Sequence, residues 1–191
     1  MSRKPGIAII ISGPSGVGKD TIIDHWRTID PNVERVVAFT TRPPRPGEVD
    51  GQSYFFVSSS TFKSLAEAGH FLEYKEVHGN FYATPLKNLK EMIRQGKKAI
   101  LKIDVQGALQ VISEHPEFLT IFLLPPSQEE LINRLESRGT EDPEKLAERI
   151  KNAEFELAQA PKYKYQVVNE NVADCVKLIS EIVEKECQTS S

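Results

Sequence analysis

The sequence is poor in cysteine and has no long hydrophobic run. Cys175 and Cys187 are the only cysteines among 191 residues. The longest uninterrupted apolar run is about five residues, far short of the roughly 20 that cross a bilayer. The first residues, Met1 to Lys4, lead towards a strand-like segment and lack the apolar core of a secretory signal. We therefore predict reduced thiols, no membrane span and a cytoplasmic location.

The sequence also lacks an excess of positive charge. Its 24 lysines and arginines are outnumbered by 27 aspartates and glutamates, which gives a formal net charge of −3. A general nucleic-acid binder needs a basic face, so we predict no nucleic-acid partner and expect any anion to be held by a local cluster. The four histidines show no metal-ligand spacing with the cysteines, so none is assigned to a metal site.

A glycine loop lies between a strand-like and a helix-like segment near the start of the chain. The apolar run Ile7 to Ile11 leads into Gly13-Pro14-Ser15-Gly16-Val17-Gly18-Lys19. Glycines let successive N–H groups point into one concavity at a helix N-terminus, where partial positive charge favours phosphate. We predict a phosphate-binding loop in which Lys19 reaches the β- and γ-phosphates. The pattern departs at Asp20, which replaces the Ser or Thr whose hydroxyl binds magnesium.

Short apolar runs alternate with helix-like segments along the chain. The runs that we interpret as buried strands are Ile7 to Ile11, Val36 to Phe39, Ala99 to Asp104, Ile121 to Leu124 and Tyr165 to Val168. Continuous apolar strands that alternate with helices are typical of a parallel sheet covered on both faces. The length favours one α/β domain with small inserts.

The segment after the second predicted strand changes character. Residues 40–48 carry three prolines and two arginines, which predicts an extended loop with a stiff backbone. Arg42 and Arg45 are three residues apart, so both guanidinium groups can converge on one phosphate. Tyr54 and Tyr82, in short predicted strands, can add hydroxyl donors, although each tyrosine taken alone is better explained by packing. We predict a second phosphate site in a small α+β insert.

Five ordered motifs in this chain resemble the guanylate kinase family. They are Gly13 to Lys19, Thr40 to Gly51, Glu73 with Gly79 to Tyr82, Ile103 to Gly107, and Arg134 to Thr140. The resemblance covers nearly the whole chain. It implies a P-loop NTPase-type α/β fold, with a five-stranded parallel sheet flanked by helices, a small α+β GMP-binding insert and a lid. The implied division is a core of residues 1–41, 97–126 and 160–191, an insert of 42–96 and a lid region of 127–159.

The activity that this resemblance implies is ATP-dependent phosphorylation of GMP, and of dGMP, to the diphosphate in purine nucleotide metabolism. Magnesium would assist an in-line phosphoryl transfer, with Asp20 as the metal ligand. The implied catalytic residues are Lys19, Arg45, Arg138 and Arg149. The implied ATP-binding residues are Gly13, Pro14, Ser15, Gly16, Val17, Gly18, Lys19, Asp20, Thr21, Arg134 and Asn169.

For GMP, the resemblance implies that the phosphate is held by Arg42, Arg45, Tyr54 and Tyr82, and that the base is read by Glu73 and Thr84. A carboxylate can accept from guanine N1–H and N2–H2 together, whereas adenine offers no such donor pair. Asp104 is also expected at this site, either towards the guanine amine or towards the water shell of magnesium.

Three positions depart from the family pattern. Asp20 stands where the family has Ser, Lys102 stands where it has an acidic residue, and Ala38 stands where it often has Ser. We expect Lys102 and Asp104 to point to one face beside the phosphate loop. Our hypothesis is that the first two changes are coupled: the carboxylate has moved from the strand to the loop, where Asp20 binds magnesium and pairs with Lys102.

Two other functions remain open at this stage. A kinase of a ribosyl bisphosphate-type small phosphate also fits Asp after the loop lysine, but it needs no guanine reader. A non-catalytic guanylate-kinase-like binding module is the other, although such modules tend to lose the phosphate loop. The predicted partners are the small molecules GMP and ATP, and the predicted oligomeric state is a monomer or a homodimer.

Overall fold

The computed structural model describes residues 6–77, 79–137 and 143–189. In chain order the strands are β1 (Ile7–Ser12), β2 (Val33–Arg35), β3 (Phe39–Thr40), β4 (Phe55–Phe56), β5 (Phe71–Val77), β6 (Asn80–Pro85), β7 (Lys98–Lys102), β8 (Leu119–Leu124) and β9 (Tyr165–Val168). The helices are α1 (Lys19–Ile29), α2 (Ser59–Glu67), α3 (Leu86–Arg94), α4 (Val105–Glu114), α5 (Gln128–Ser137), α6 (Pro143–Leu157) and α7 (Val172–Thr189).

The central sheet has five parallel strands in the order β2-β7-β1-β8-β9. Along β1, Ile9 and Ile11 pack into one apolar layer, with α1 and α7, while Ala8 and Ile10 pack into the other, with α3 and α4. Both faces of the three central strands are therefore buried, which explains why β1 and β8 and the middle of β7 are almost continuously apolar. The predicted α/β fold, with a five-stranded parallel sheet flanked by helices, is confirmed.

One strand prediction is wrong. The second core strand is expected at Val36 to Phe39, but the structure has it at Val33–Arg35. Val36 is buried, and its N–H donates to the Ile100 carbonyl at 2.9 Å, which extends the ladder by one bond. The chain then leaves the central sheet, and Phe39 begins β3 of a second sheet. The apolar run Val36 to Phe39 is therefore divided between the two sheets and does not form one strand.

The second sheet has the order β4-β3-β6-β5, with β5 and β6 forming an antiparallel hairpin. Its interior is aromatic, with ring centroids 4.8–5.4 Å apart for neighbours among Phe39, Phe55, Phe62, Phe71 and Phe81. Phe62 comes from α2, whose first turn is capped by the Ser58 hydroxyl, which accepts from the Thr61 N–H. This layer, which includes β3, has its own aromatic cluster beside the central sheet.

Helix α1 begins at Lys19, directly after the glycine loop, and one side of it is buried. Ile22, Ile23 and Trp26 pack under the central sheet with at most 1% of each residue exposed. Within the described ranges, the Trp26 Nε1 has no hydrogen-bond partner, and the Lys98 ammonium lies 5.9 Å from the ring centroid. The loop is therefore anchored to the core through its following helix.

Helices α5 and α6 share a small apolar cluster formed by Leu131, Leu135 and Ala153. The Ser127 hydroxyl accepts from the Glu130 N–H at 3.1 Å, as the capping-box pattern predicts. The Glu130 carboxylate turns instead to Arg134. Among the helices in the part of the chain that the structure describes, none is long and apolar enough to cross a membrane.

Candidate active site

The glycine loop lies at the carboxyl end of β1, in the middle of the central sheet, where ligands bind in open parallel sheets. Gly18 has φ of 97° and caps the N-terminus of α1. A Cβ on Gly18 would come within 2.6 Å of the Asn169 Nδ2, so glycine is required here by backbone conformation and by space. Asn169 in turn donates to the Val17 carbonyl at 2.7 Å. The loop is thus shaped by its own glycines and clamped from the end of β9.

Lys19 lies inside the concavity of the loop. Its Nζ donates to the Gly13 carbonyl at 2.5 Å and to the Pro14 carbonyl at 3.0 Å. Burial lowers the pKa of Lys19 to about 8, with the nearby Glu156 carboxylate opposing the fall and Lys102 adding to it. The ammonium is therefore aimed along the loop, where a phosphate ester would meet it.

Glu156, which the sequence reasoning missed, reaches the same loop from α6. Its Oε2 accepts from the Ser15 N–H at 3.1 Å. Burial raises the pKa of Glu156, while the Ser15 N–H and Lys19 act in the opposite direction. The Ser15 N–H thus donates to an anionic group, which is the property predicted for the loop amides. Glu156 lies in a polar helix, so nothing in the sequence pattern distinguishes it from a solvated residue.

Asp20, in the first turn of α1, lies between two cations. Its Oδ1 is 2.6 Å from the Lys102 Nζ and 3.4 Å from the Arg35 Nη1. Partial burial opposes ionisation of Asp20, but Lys102 and Arg35 outweigh it and hold the pKa of this carboxyl below its usual range. Lys102 and Asp20 are therefore in direct contact, as the coupling hypothesis requires. Arg35 was not predicted, because a single charge at a strand end carries no sequence signal.

The cations and tyrosines predicted for a second phosphate lie mostly together. Arg42 lies 5.5 Å from the Tyr54 ring centroid, and the Tyr54 and Tyr82 rings are 5.9 Å apart. The Arg42 Nη2 donates to Glu48 at 2.7 Å, and the other Glu48 oxygen accepts from the Arg45 N–H. Glu48, a further residue that the sequence reasoning did not assign, therefore holds the arginine loop in shape, while Arg45 is exposed.

Glu73 and Thr84 are register partners on β5 and β6. The Thr84 hydroxyl donates to the Glu73 Oε1 at 2.6 Å, and both residues are buried. Burial raises the pKa of Glu73 to about 7; Thr84 opposes the rise and the Asp104 carboxylate adds to it. Asp104 itself caps α4 by accepting from the Gly107 N–H at 2.8 Å. The result is a buried carboxylate with one oxygen fixed by a hydroxyl donor.

The two halves of this second site share one strand. Tyr82 and Thr84 are two residues apart on β6, so they lie on one face, separated by about 7 Å along the strand. One end of that face has the Arg42 guanidinium and two phenols, and the other has the Glu73 carboxyl. The spacing suits a ligand with a phosphate at one end and a hydrogen-bonding ring at the other.

Four other residues, Thr21, Arg134, Arg138 and Arg149, are also predicted for the ATP-binding or catalytic part of the site. Arg134 on α5 donates to Glu130 at 2.9 Å, and Arg149 on α6 is exposed. Thr21 is exposed in the first turn of α1. Arg138 lies outside the described residues. In the part of the chain that the structure describes, no group of three or more His, Cys, Asp or Glu side chains forms a metal cage.

Comparison with known proteins gives a consistent result. A family model described as "Guanylate kinase" matches residues 5–186. The chain is 46% identical over 181 residues to a guanylate kinase of Clostridium tetani, with 95% of this chain and 86% of the relative covered. It is 47% identical over 169 residues to the guanylate kinase of Thermosynechococcus vestitus, covering 88% of each chain. A solved guanylate kinase from Anaplasma phagocytophilum matches with a TM-score of 0.77 and 33% identity, covering 96% of this chain and 87% of that one.

Proposed function

The chain belongs to the guanylate kinase family, and we propose that it transfers the γ-phosphoryl group of ATP to GMP or dGMP, giving ADP and the nucleoside diphosphate. The observation that carries this proposal is the face of β6. Glu73, held by the Thr84 hydroxyl, supplies a carboxylate that can accept from the guanine N1–H and N2–H2. Arg42, Tyr54 and Tyr82 supply donors for the phosphate.

The protein groups act mainly by position and charge. A phosphate oxygen of GMP attacks the γ-phosphorus of ATP, and the bond to the β,γ-bridging oxygen breaks, with its electron pair leaving on ADP. Charge is spread over the moving group, so fixed cations and loop amides stabilise the transition state. Lys19 and the loop N–H groups hold the triphosphate, and the Arg42 cluster aligns the acceptor. We assign Arg45, with Arg42, to the phosphate of GMP. We assign Arg134, Arg138 and Arg149 to closure over the donor, and Asn169 to its adenine side.

Magnesium fits this site through one hard oxygen ligand. Asp20 presents a carboxylate at the mouth of the phosphate loop, and its Oδ2 makes none of the contacts with Lys102 or Arg35. We propose that Asp20 helps to hold the ion, with substrate phosphates as the other ligands. When bound, magnesium neutralises charge on the β- and γ-phosphates.

The two alternative functions are not favoured. A sugar phosphate would give the buried Glu73 carboxylate no matching pair of donors, which costs about 1–3 kcal/mol or more for a charged group. A non-catalytic module would not need Lys19 in a loop with phosphate-binding geometry.

We extend the proposal to the division of the chain into functional segments and to its cellular location. We propose that residues 42–96 bind GMP and that residues 127–159 close as a lid, with β3 joining the first of these units. We further propose a cytoplasmic location. Cys175 and Cys187 are both reduced thiols, as cysteines of proteins in a reducing compartment usually are.

The function is tested by measuring ADP formation from ATP and magnesium with GMP, dGMP, AMP, UMP or ribose phosphates as acceptors. We expect GMP and dGMP to be used and AMP to be rejected by at least about 10²-fold in kcat/KM, because adenine leaves the Glu73 carboxylate unpaired. A preference for a ribose phosphate would overturn the proposal. So would GMP binding without turnover.

We also predict that changes at Asp20 and Lys102 are not additive. Asp20→Ser alone removes the carboxylate and leaves the Lys102 ammonium without its 2.6 Å partner. Adding Lys102→Asp returns a carboxylate beside a hydroxyl. The double variant should keep a kcat about 2- to 5-fold higher than Asp20→Ser alone, the scale of coupling between partly exposed charges. The four-member cycle is measured by the same assay, and additive losses would show that the two positions act independently.

A further inference from the structure

Arg35 stands at the end of an otherwise apolar row that faces α1. Val33 and Ile100 belong to the apolar layer on this face of the central sheet. Arg35 follows Val33 by two residues, as Lys102 follows Ile100, so both cations continue the same face beyond the core. This is the carboxyl edge of the sheet, where α1 begins and the phosphate loop lies.

The Arg35 guanidinium is buried more fully than its contacts justify. Its side chain is 15% exposed, and its nearest carboxylate oxygen, on Asp20, is 3.4 Å away. In the described parts of the chain its Nε is buried and has no hydrogen-bond partner. A largely buried guanidinium with an unused Nε donor is costly, so this arrangement points to an anionic ligand.

The two neighbouring cations each have a closer carboxylate partner than Arg35 has. Lys102 holds Asp20 at 2.6 Å, and Arg42 holds Glu48 at 2.7 Å. Arg35 therefore shares Asp20 with a closer cation, and that carboxylate is 62% exposed and weakly compensating. Of these three cations, Arg35 has the largest unmet capacity to bind a phosphate.

Arg35 also lies between the two substrate sites. On one side is Asp20, in the first turn after the phosphate loop. On the other is the Tyr54 ring, whose centroid lies 5.7 Å from the Arg35 Cζ and 5.5 Å from the Arg42 Cζ. A group that passes from the loop to the Arg42 cluster would therefore pass beside Arg35.

We propose that Arg35 is a further catalytic residue, which binds the phosphoryl group during its transfer between ATP and GMP. This inference rests on the proposed function. Arg35 donates to the equatorial oxygens of the moving group while the oxygen–phosphorus bond to ADP breaks and the bond to GMP forms. Asp20 is a positioning residue that keeps the guanidinium at the boundary between the sites.

The test compares Arg35→Ala and Arg35→Lys with the matched control Arg27→Ala, a change in the last turn of α1 at a surface residue paired with Asp24. With saturating ATP and magnesium, Arg35→Ala should lower kcat by about 10- to 100-fold, as expected for loss of a charge-assisted hydrogen bond. The KM for GMP should change by less than about 3-fold, because the contact belongs to the transition state. Added guanidinium ion should restore part of kcat, whereas sodium chloride at equal concentration should not.

The outcomes separate this inference from the proposed function. If the unchanged protein does not phosphorylate GMP, the proposed function fails. If it does, and Arg35→Ala keeps its kcat or raises only the KM for GMP, the role of Arg35 in transfer is wrong. Arg35→Lys keeps a positive charge at this position, so it tests the proposal if Arg35→Ala does not fold. A folded Arg35→Lys variant should lose part of kcat, because an ammonium cannot reproduce the planar fork, and an unchanged kcat would contradict the proposal.

Discussion

Replacing Lys19 with methionine should lower kcat for ADP formation by about 10²–10³-fold, the usual cost of removing one preorganised donor from a charged transition state. The Lys19 ammonium lies within the loop, bonded to the Gly13 and Pro14 carbonyls, so its position is fixed before transfer begins. Methionine has a similar reach but supplies no charge. The coupled assay with GMP measures the loss.

The free energy of unfolding of Lys19→Met should be close to that of the unchanged protein or higher. Because burial holds the pKa of Lys19 at about 8, below its ordinary 10.5, the folded state binds this proton less tightly than the unfolded chain does. The charged side chain therefore costs stability below pH 8, and that cost disappears as the pH rises from 8 towards 10.5. Lys177→Met, a change on the exposed side of α7, is the control and should keep full activity. A Lys19→Met protein with normal kcat would refute the role assigned to the loop.

Replacing Glu73 with glutamine should raise the KM for GMP by about 10- to 100-fold, because hydrogen bonds to charged groups contribute about 1.5–3 kcal/mol. The Thr84 hydroxyl donates to one oxygen of Glu73. In the variant the amide oxygen keeps that bond, so the NH2 group faces the guanine N–H donors. Donor then meets donor, and the base loses its bidentate partner. Steady-state KM values for GMP and AMP measure the change in preference.

The pH profile is an additional measurement for the same substitution. Glu73 has its pKa raised from 4.5 to about 7, so its carboxyl group is protonated below pH 7 in the free protein. The KM for GMP should therefore rise as the pH falls below 7, and this dependence should disappear in Glu73→Gln. Glu76→Gln, on the same strand but exposed, should keep the original profile. An identical pH profile in Glu73→Gln would assign the titration to another group.

The sequence predicted a strand correctly where the whole apolar run packs within the central sheet. The runs in β1, β7 and β8 are buried on both faces, so apolarity alone identified them. At Val36 to Phe39 it did not, because Val36 completes the central sheet while Phe39 packs on Phe55 and Phe71. Val36 belongs to the core of the central sheet and Phe39 to the aromatic cluster of the second sheet. The apolar pattern of the sequence does not show where one ends and the other begins.

The site was predictable where a motif fixes the backbone and unpredictable where tertiary contacts select a residue. Lys19 follows from glycine spacing, and its neighbours in the loop follow with it. Glu156 and Arg35 approach that loop from α6 and β2, and each is a single charge without a local pattern. The pairing of Lys102 with Asp20 was a hypothesis from two departures, and a 2.6 Å contact now supports it.

Trp26 is the single tryptophan of the chain, and it lies two turns after Lys19 on the same helix. Its indole is enclosed by the core, and its ring nitrogen has no acceptor among the described residues. The tryptophan fluorescence of this protein therefore comes from one indole that is fully buried in the core. A red shift during denaturation reports the moment when water reaches the helix that carries the phosphate lysine, without any added label.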